Sequence, residues 1–328
     1  MKIIEVVADS GHADTVTGIA ENAELSWWSG GLTEDGRQSI RLLVSDQKRQ
    51  QVLDSLQTVL ASATDARILV IPLEAALPRL SEEAQTEEKE KPSVSATREE
   101  LYHNIEKGAR FDANYLLLVV LSTVVAAIGL IEDNVAVVIG AMVIAPLLGP
   151  NLALALGTAL GDGDLVGRAL RTSTLGLATA LAASIAIGFA WPPGTGSTEL
   201  MARTDVGLDS LALALASGAA AVLSLTTGVS TVLVGVMVAV ALLPPTATVG
   251  LMFGQGEYWL ALGAGLLLVA NVVCVNLAAN LVFLFKGVKP RTWLEKQKAR
   301  QSMQVYIGFW LVLLALLVAV IVIRQIKQ

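Results

Sequence analysis

Two stretches of this chain, VAVVIGAMVIAPLLGP at 135–150 and VSTVLVGVMVAVALLPP at 229–245, carry one pattern 95 residues apart. Gly140 corresponds to Gly235, Met142 to Met237, Leu147 and Leu148 to Leu242 and Leu243, and Pro150 to Pro245. Each Pro closes an apolar run long enough to enter a bilayer. Proline lacks the backbone donor and obstructs the helix turn before it. The pattern therefore predicts two membrane helices, each interrupted near its end. A duplicated broken membrane helix is a construction of transporters and channels. It constrains the architecture and leaves the substrate open.

Of the 328 residues 54% are hydrophobic, above the roughly 45–50% of soluble domains. Charge is unevenly spread. Residues 1–97 hold 9 Lys and Arg against 16 Asp and Glu, while residues 98–328 hold 14 against 13. An acidic first third opposes nucleic-acid binding, which needs clustered bases, and keeps that part off anionic lipid. The lone Cys274 excludes an intramolecular disulfide and a Cys-based metal site. The start, MKIIEVVADSG, lacks the long apolar core of a signal peptide.

Residues 1–80 read as a small soluble domain. Ile3–Val7 is an apolar strand, His12–Glu24 a helix, and Leu25–Leu32 and Gln38–Val44 are strands joined through an Asp35-Gly36 turn. Ser45 or Asp46 starts a second helix whose Val52, Leu53, Leu56, Val59 and Leu60 share a face. Arg67–Ile71 is a last strand, stopped by Pro72. The order βαββαβ is ferredoxin-like. Trp27 and Trp28 point to opposite sheet faces, so one is expected in the core and the other is readable as a stacking surface for a small ligand or a contact to the membrane domain, with burial the default. Residues 81–97 are a charged linker. Residues 98–112, with Leu101, Ile105 and Ala109 aligned, form an amphipathic interfacial helix.

The remainder reads as seven spans of about 20 residues each. The long run 210–256 divides at Thr226-Thr227-Gly228. Ser122 pairs with Ser217, Leu130 with Leu225, Gly161 with Gly256 and Leu165 with Leu260, all at the same offset. Each repeat thus covers three spans, 113–190 and 209–285. Three is odd, so the second unit enters the membrane from the opposite side and the repeats are inverted. The basic loop 286–300, with Lys286, Lys289, Arg291, Lys296, Lys298 and Arg300, is expected in the cytoplasm with the N-terminus. A seventh helix spans 301–326 and leaves Arg324 and Lys327 on the far side, against that rule.

The first candidate site is the pair of breaks: Pro146, Gly149, Pro150 and Asn151 in one unit, Pro244, Pro245, Thr246 and Thr248 in the other. Carbonyls freed by Pro need a partner in lipid, which is a neighbouring helix, water or substrate. Kinks satisfied by protein are the alternative. Asn271, Asn276 and Asn280 form a second set, readable as interhelical glue or as ligands. Glu132 and Asp133 form a third, a cation-drawing mouth or a solvated turn. Gly157/Gly161, Gly163/Gly167 and Gly250/Gly254 suit close helix packing. The two His, His12 and His103, lie far apart, and HExxH, GxSxG, Walker and Rossmann signatures are absent. The expectation is a non-enzyme without cofactor. Its partners are the lipid bilayer, further copies of itself and a small-molecule ligand of the N-terminal domain.

REELY at 98–102, LSTVVAAIGLIEDNVAVVIGAMVIAPLLGP at 121–150 and ALLPP at 241–245 resemble the domain-of-unknown-function family 389, the uncharacterised hydrophobic domain family of prokaryotes. The resemblance covers most of residues 98–285. It implies a multi-pass prokaryotic membrane protein with a cytoplasmic domain, and no substrate; the inner membrane is the expected location. Two functions are carried forward: a transporter or channel with a regulatory domain, and a membrane-anchored sensor that transports nothing.

Overall fold

The computed structural model describes residues 1–32, 35–73, 97–191, 197–227, 231–288 and 293–327. They divide into two compact units, 1–98 and 99–328. Most of the linker read at 81–97, and Gly228 of the Thr226-Thr227-Gly228 turn, lie outside the described residues.

The first unit runs β1 (Lys2–Asp9), α1 (Ala13–Asn22), β2 (Ser26–Leu32), β3 (Arg37–Val44), α2 (Asp46–Val59) and β4 (Arg67–Pro72). The sheet is antiparallel in the order β2-β3-β1-β4. Alternation along the strands sends Ile4, Val6 and Ala8 of β1 and Ile40, Leu42 and Val44 of β3 to one face. There they meet Val16 and Ala20 of α1 and Val52, Leu53 and Leu56 of α2. Gly36 turns the β2–β3 hairpin at φ 78°, a conformation costly for residues with a Cβ. On the open face Glu5 accepts from the Ser39 hydroxyl at 2.6 Å and from Arg41 Nε at 2.9 Å. Those bonds, the Ser39 one foremost, hold its carboxyl below the ordinary value. Burial of the tryptophans is not what the fold gives: Trp27 is 38% and Trp28 41% exposed. The reason is position. β2 is an edge strand and every one of its residues is exposed.

The second unit is helical: α3 (Arg98–Gly108), α4 (Ala113–Ile131), α5 (Val135–Ile144), α6 (Leu148–Leu160), α7 (Gly163–Ala190), α8 (Thr198–Met201), α9 (Leu208–Thr227), α10 (Thr231–Gly254), α11 (Tyr258–Phe285) and α12 (Trp293–Lys327). Among the described residues five helices, α4, α7, α9, α11 and α12, are long and apolar enough to cross a membrane. The bent pair α5–α6 makes a sixth, and α10 runs for 24 residues with Ala241–Gly254 as its described apolar part. Such helices make this a membrane protein in architecture. α12 begins at Trp293, so it starts inside the stretch read as a basic loop.

The 95-residue spacing persists in the helix boundaries. α7 and α11 are each 28 residues, and Gly163 and Tyr258, like Ala190 and Phe285, lie 95 apart. The turns before them match as well. Gly161 and Gly256 are left-handed at φ 69° and 82°. The next amides close the same loop, Asp162 N to Gly157 O at 2.8 Å and Glu257 N to Met252 O at 3.0 Å. This is the glycine-ended helix cap.

The breaks do not lie where the prolines alone suggest. α5 stops at Ala145, whose φ −65° and ψ 124° are extended, as expected for a residue preceding Pro. The bend between α5 and α6 is 54°. Pro150 is the third residue of α6 rather than the end of a run, and a missing N–H costs nothing in a first turn. α10 passes through Pro244 and Pro245 as one continuous helix. So, of the two proline segments, the one at 135–150 is interrupted in its described backbone and the one at 231–245 is not.

α3 packs on the start of the helical unit with Leu101, Ile105 and Ala109 buried. Tyr102 donates to Asp162 at 2.7 Å, Arg168 pairs with Glu106 at 3.1 Å, and the Thr172 hydroxyl donates to Ala109 O at 3.0 Å. Burial, then the Asp162 contact, raises the Tyr102 phenol. α10 lies against α7 by backbone contact. A Cβ on Gly188 would stand 2.6 Å from Leu251 O, and one on Gly254 2.7 Å from Ile185 O.

Candidate functional site

The continuous helix through Pro245 needs an explanation at Ala241, because Pro245 has no N–H for that carbonyl. The partner is Asn271 of α11, whose Nδ2 donates to Ala241 O at 2.8 Å. All three residues are buried. An amide from a neighbouring helix thus replaces the missing backbone donor where α10 runs on through Pro245.

Ala241, Pro245 and Asn271 also form the floor of a cavity of about 300 Å³. Leu213, Ala214 and Leu267 supply apolar walls, and Ser210 and Ser217 add hydroxyls. Glu199 and Arg203, 23% and 20% exposed, join the lining as an ion pair at 2.6 Å. Arg203 Nη1 also donates to the Glu199 carbonyl. The cavity therefore connects a part-exposed charged pair to a buried helix site with a substituted hydrogen bond.

Shifting the cavity residues by 95 positions gives their counterparts in 113–190. Ser210, Ser217, Ala241, Pro245, Leu267 and Asn271 become Tyr115, Ser122, Pro146, Pro150, Thr172 and Gly176. There the space is filled. Tyr115 is 5% exposed, its hydroxyl donates to Thr172 O at 3.2 Å and touches the place where a Gly176 Cβ would be. Gly149 is covered too: a Cβ there would meet the Gly108 backbone at the end of α3. So the Pro245 site meets a cavity, and Gly149 and Pro150 are closed in by packing.

The other sequence candidates fall into place around these two sites. Asn151 Nδ2 donates to Leu147 O at 2.9 Å and the Thr246 hydroxyl to Leu242 O at 2.7 Å, so these counterparts both bond one turn back. Asn276 Nδ2 donates to Val272 O at 2.9 Å and reaches Asn151 Oδ1 at 3.3 Å, joining two candidates from different units. Asn280 Nδ2 donates to Asn276 O at 2.9 Å. The Oδ1 atoms of Asn276 and Asn280 and the Thr248 hydroxyl are buried with no donor among the described residues. Such acceptors are costly to leave unmet. Pro146 is half-buried at the bend, and Pro244 precedes Pro245 inside α10.

Glu132 is exposed. Asp133, at φ 55°, accepts from the Thr198 hydroxyl and the Glu199 amide, both at 2.7 Å. The Thr198 bond, then the Glu199 amide, keeps its carboxyl below the ordinary value. Ser197 donates to Leu130 O at 2.5 Å. The turn after α4 thus holds α8, and with it Glu199 and Arg203, beside the start of α9. Among the described residues no group of three His, Cys, Asp or Glu side chains could hold a metal ion.

Glu199, Arg203, Ser210 and Tyr115 escaped the sequence reading as site residues. The available signals were the single base in 191–209 and the 95-residue offset itself, which pairs Ser210 with Tyr115.

Residues 142–277 match the family described as Domain of unknown function (DUF389). The chain is 32% identical over 286 residues to the uncharacterized protein MJ0678 of Methanocaldococcus jannaschii, covering 87% of this chain and 88% of that protein. No solved structure matches.

Proposed function

This chain belongs to the DUF389 family, and from that premise we propose that it is a transport protein of a prokaryotic inner membrane, without enzymatic activity. Two inverted three-helix repeats, 113–190 and 209–285, enclose the pathway. The observation that carries this reading is the cavity running from Glu199 and Arg203 to Pro245. A pathway needs polar groups and freed backbone at the meeting of helices, which an inert anchor does not.

The ends of the helices support the inversion. α4 and α7 start together, since α3 is tied to both, and Ser197 beyond the end of α7 reaches Leu130 at the end of α4. The second unit, starting at Leu208, then enters from the side where α4 leaves. With basic loops cytoplasmic, the N-terminal ferredoxin-like domain is cytoplasmic and the cavity opens outward. Of two equivalent sites one is open outward and one is shut inward, as alternating access requires. Copies of the chain associate through α12, whose Phe309, Val312 and Leu316 stay exposed.

Cysteine labelling tests the pathway. In a Cys274→Ala background, Ser217→Cys is expected to react with a water-soluble, membrane-impermeant maleimide on intact cells, and Ser122→Cys to stay silent. Tyr115→Ser gives the first repeat the residue of its counterpart and should make Ser122→Cys reactive in inside-out vesicles, where the cytoplasmic face meets the reagent. An unreactive Ser217→Cys, with no uptake across a broad solute panel in proteoliposomes, refutes the pathway. The sensor reading retains one observation in its favour, a cavity of about 300 Å³ between α1 and α2 lined by Ile19, Glu24, Lys48 and Val52.

A further inference from the structure

The Glu199–Arg203 pair is only half used. Arg203 spends Nη1 on Glu199, on both its carboxylate and its carbonyl. No described residue accepts from Arg203 Nε or Nη2, and none donates to Glu199 Oε1. The Nε/Nη2 edge of a guanidinium is a planar fork matched to a carboxylate. The free carboxylate oxygen beside it accepts from an ammonium. Both groups line one cavity of about 300 Å³, the lower end of small-molecule pockets.

The charges around the mouth sharpen the choice. Glu132, Asp133, Glu199, Asp205 and Asp209 stand in the turn after α4 and the segment before and at the start of α9, against the single base Arg203. A simple anion meets net repulsion there, although one fork is built to hold it. A bare inorganic cation finds Glu199 already neutralised and walls of Leu213, Ala214 and Leu267. A molecule with an ammonium and a carboxylate on one carbon and an apolar remainder satisfies every part.

We propose that the cavity binds a small zwitterionic amino acid, its carboxylate on the free edge of Arg203, its ammonium on Glu199, and its aliphatic side chain between Leu213 and Leu267 toward Pro245. The assignment rests on the transport reading for its consequence, since a ligand seated there lies on the path to the Ala241–Asn271 bond. It does not rest on that reading for binding itself.

Full-length protein in nanodiscs is titrated with glycine, L-alanine and L-leucine, and with 4-methylpentanoate and isoamylamine as the two halves of leucine. Thermal melts and calorimetry are the readouts. L-leucine is expected to raise the melting temperature by mass action, and each half to bind at least tenfold more weakly. Arg203→Lys keeps the positive charge and the pairing to Glu199 but loses the fork; it should weaken L-leucine at least tenfold. Glu199→Gln should do the same, and both variants should elute with the parent's assembly size. Binding of 4-methylpentanoate as tight as L-leucine overturns the zwitterion. Unchanged L-leucine affinity in both variants, or no amino acid bound by the parent, overturns the site. Labelling of Ser217→Cys stands apart from these results, so the pathway survives or fails by itself.

Discussion

Replacing Asn271 with Leu should strand the Ala241 carbonyl, and the size of the effect should depend on residue 245. In the parent, Pro245 offers no N–H, and Asn271 Nδ2 at 2.8 Å is the donor to that buried oxygen. Leaving a buried acceptor unmet costs about 1–3 kcal/mol. Measured side-chain bonds inside membrane proteins average about 0.6 kcal/mol and reach about 1.7. Because Asn271 substitutes for a backbone bond rather than adding to one, the upper part of that range applies, and Asn271→Leu is expected to cost about 1.5 kcal/mol. Pro245→Ala restores an amide one turn after Ala241. In that background the same Asn271→Leu change should cost no more than about 0.5 kcal/mol, leaving a coupling of about 1 kcal/mol. Reversible unfolding of the full chain in mixed micelles measures all four corners of the cycle. For a domain of this size about 1 kcal/mol corresponds to roughly 2–4 °C in melting temperature, well within reach of the assay. Equal costs of Asn271→Leu in both backgrounds would falsify the idea that this amide replaces the proline's missing donor.

Two further outcomes follow from local geometry. Gly188→Ala should cost about 1–3 kcal/mol by overpacking, because its Cβ would lie 2.6 Å from the Leu251 carbonyl oxygen, whereas Gly167→Ala, with nothing within 4 Å, should be neutral or slightly stabilising in the same unfolding assay. Asp133 has a lowered folded value, so its hold on α8 is complete above the ordinary value of 3.8 and is lost only as pH falls below it; hydrogen exchange at the Glu199 amide should stay protected at pH 5 and open only below the ordinary value, and Asp133→Asn should flatten the profile, while loss of protection already at pH 5 in the parent would contradict the assignment.

Much of the fold is written in local pattern, and the exceptions share one physical origin. The strands and helices of residues 1–80 were legible because one face of each must be apolar to cover a small core, and Ile4, Val6, Leu42 and Leu56 sit where period-two and period-3.6 spacing put them. Trp27 and Trp28 were misread because alternation gives the face of a residue, not whether its strand lies at the edge. The 95-residue offset was legible as identities, and the ends of α7 and α11 fall on the same offset. What the offset hides is that equivalent prolines meet different neighbours. Pro146 forces Ala145 out of the helix, after which Pro150 lies harmlessly in a first turn. In the segment 231–254 Ala241 stands in place of Pro146, the helix runs on through Leu243, Pro244 and Pro245, and the carbonyl that Pro245 leaves free is met by Asn271, 26 residues further on. The cavity depends on the same kind of substitution. Tyr115 in one unit and Ser210 in the other occupy corresponding positions, and the volume of one phenol ring separates a filled site from an open one. A sequence states both residues plainly, yet their meaning as plug and lining appears only when Thr172 and Gly176, or Leu267 and Asn271, are brought across from the third helix of each unit. The asymmetry thus lies in which side chains fill positions that share the 95-residue offset: Tyr115 packs against Thr172, whereas Ser210 lines a cavity with Leu267 and Asn271.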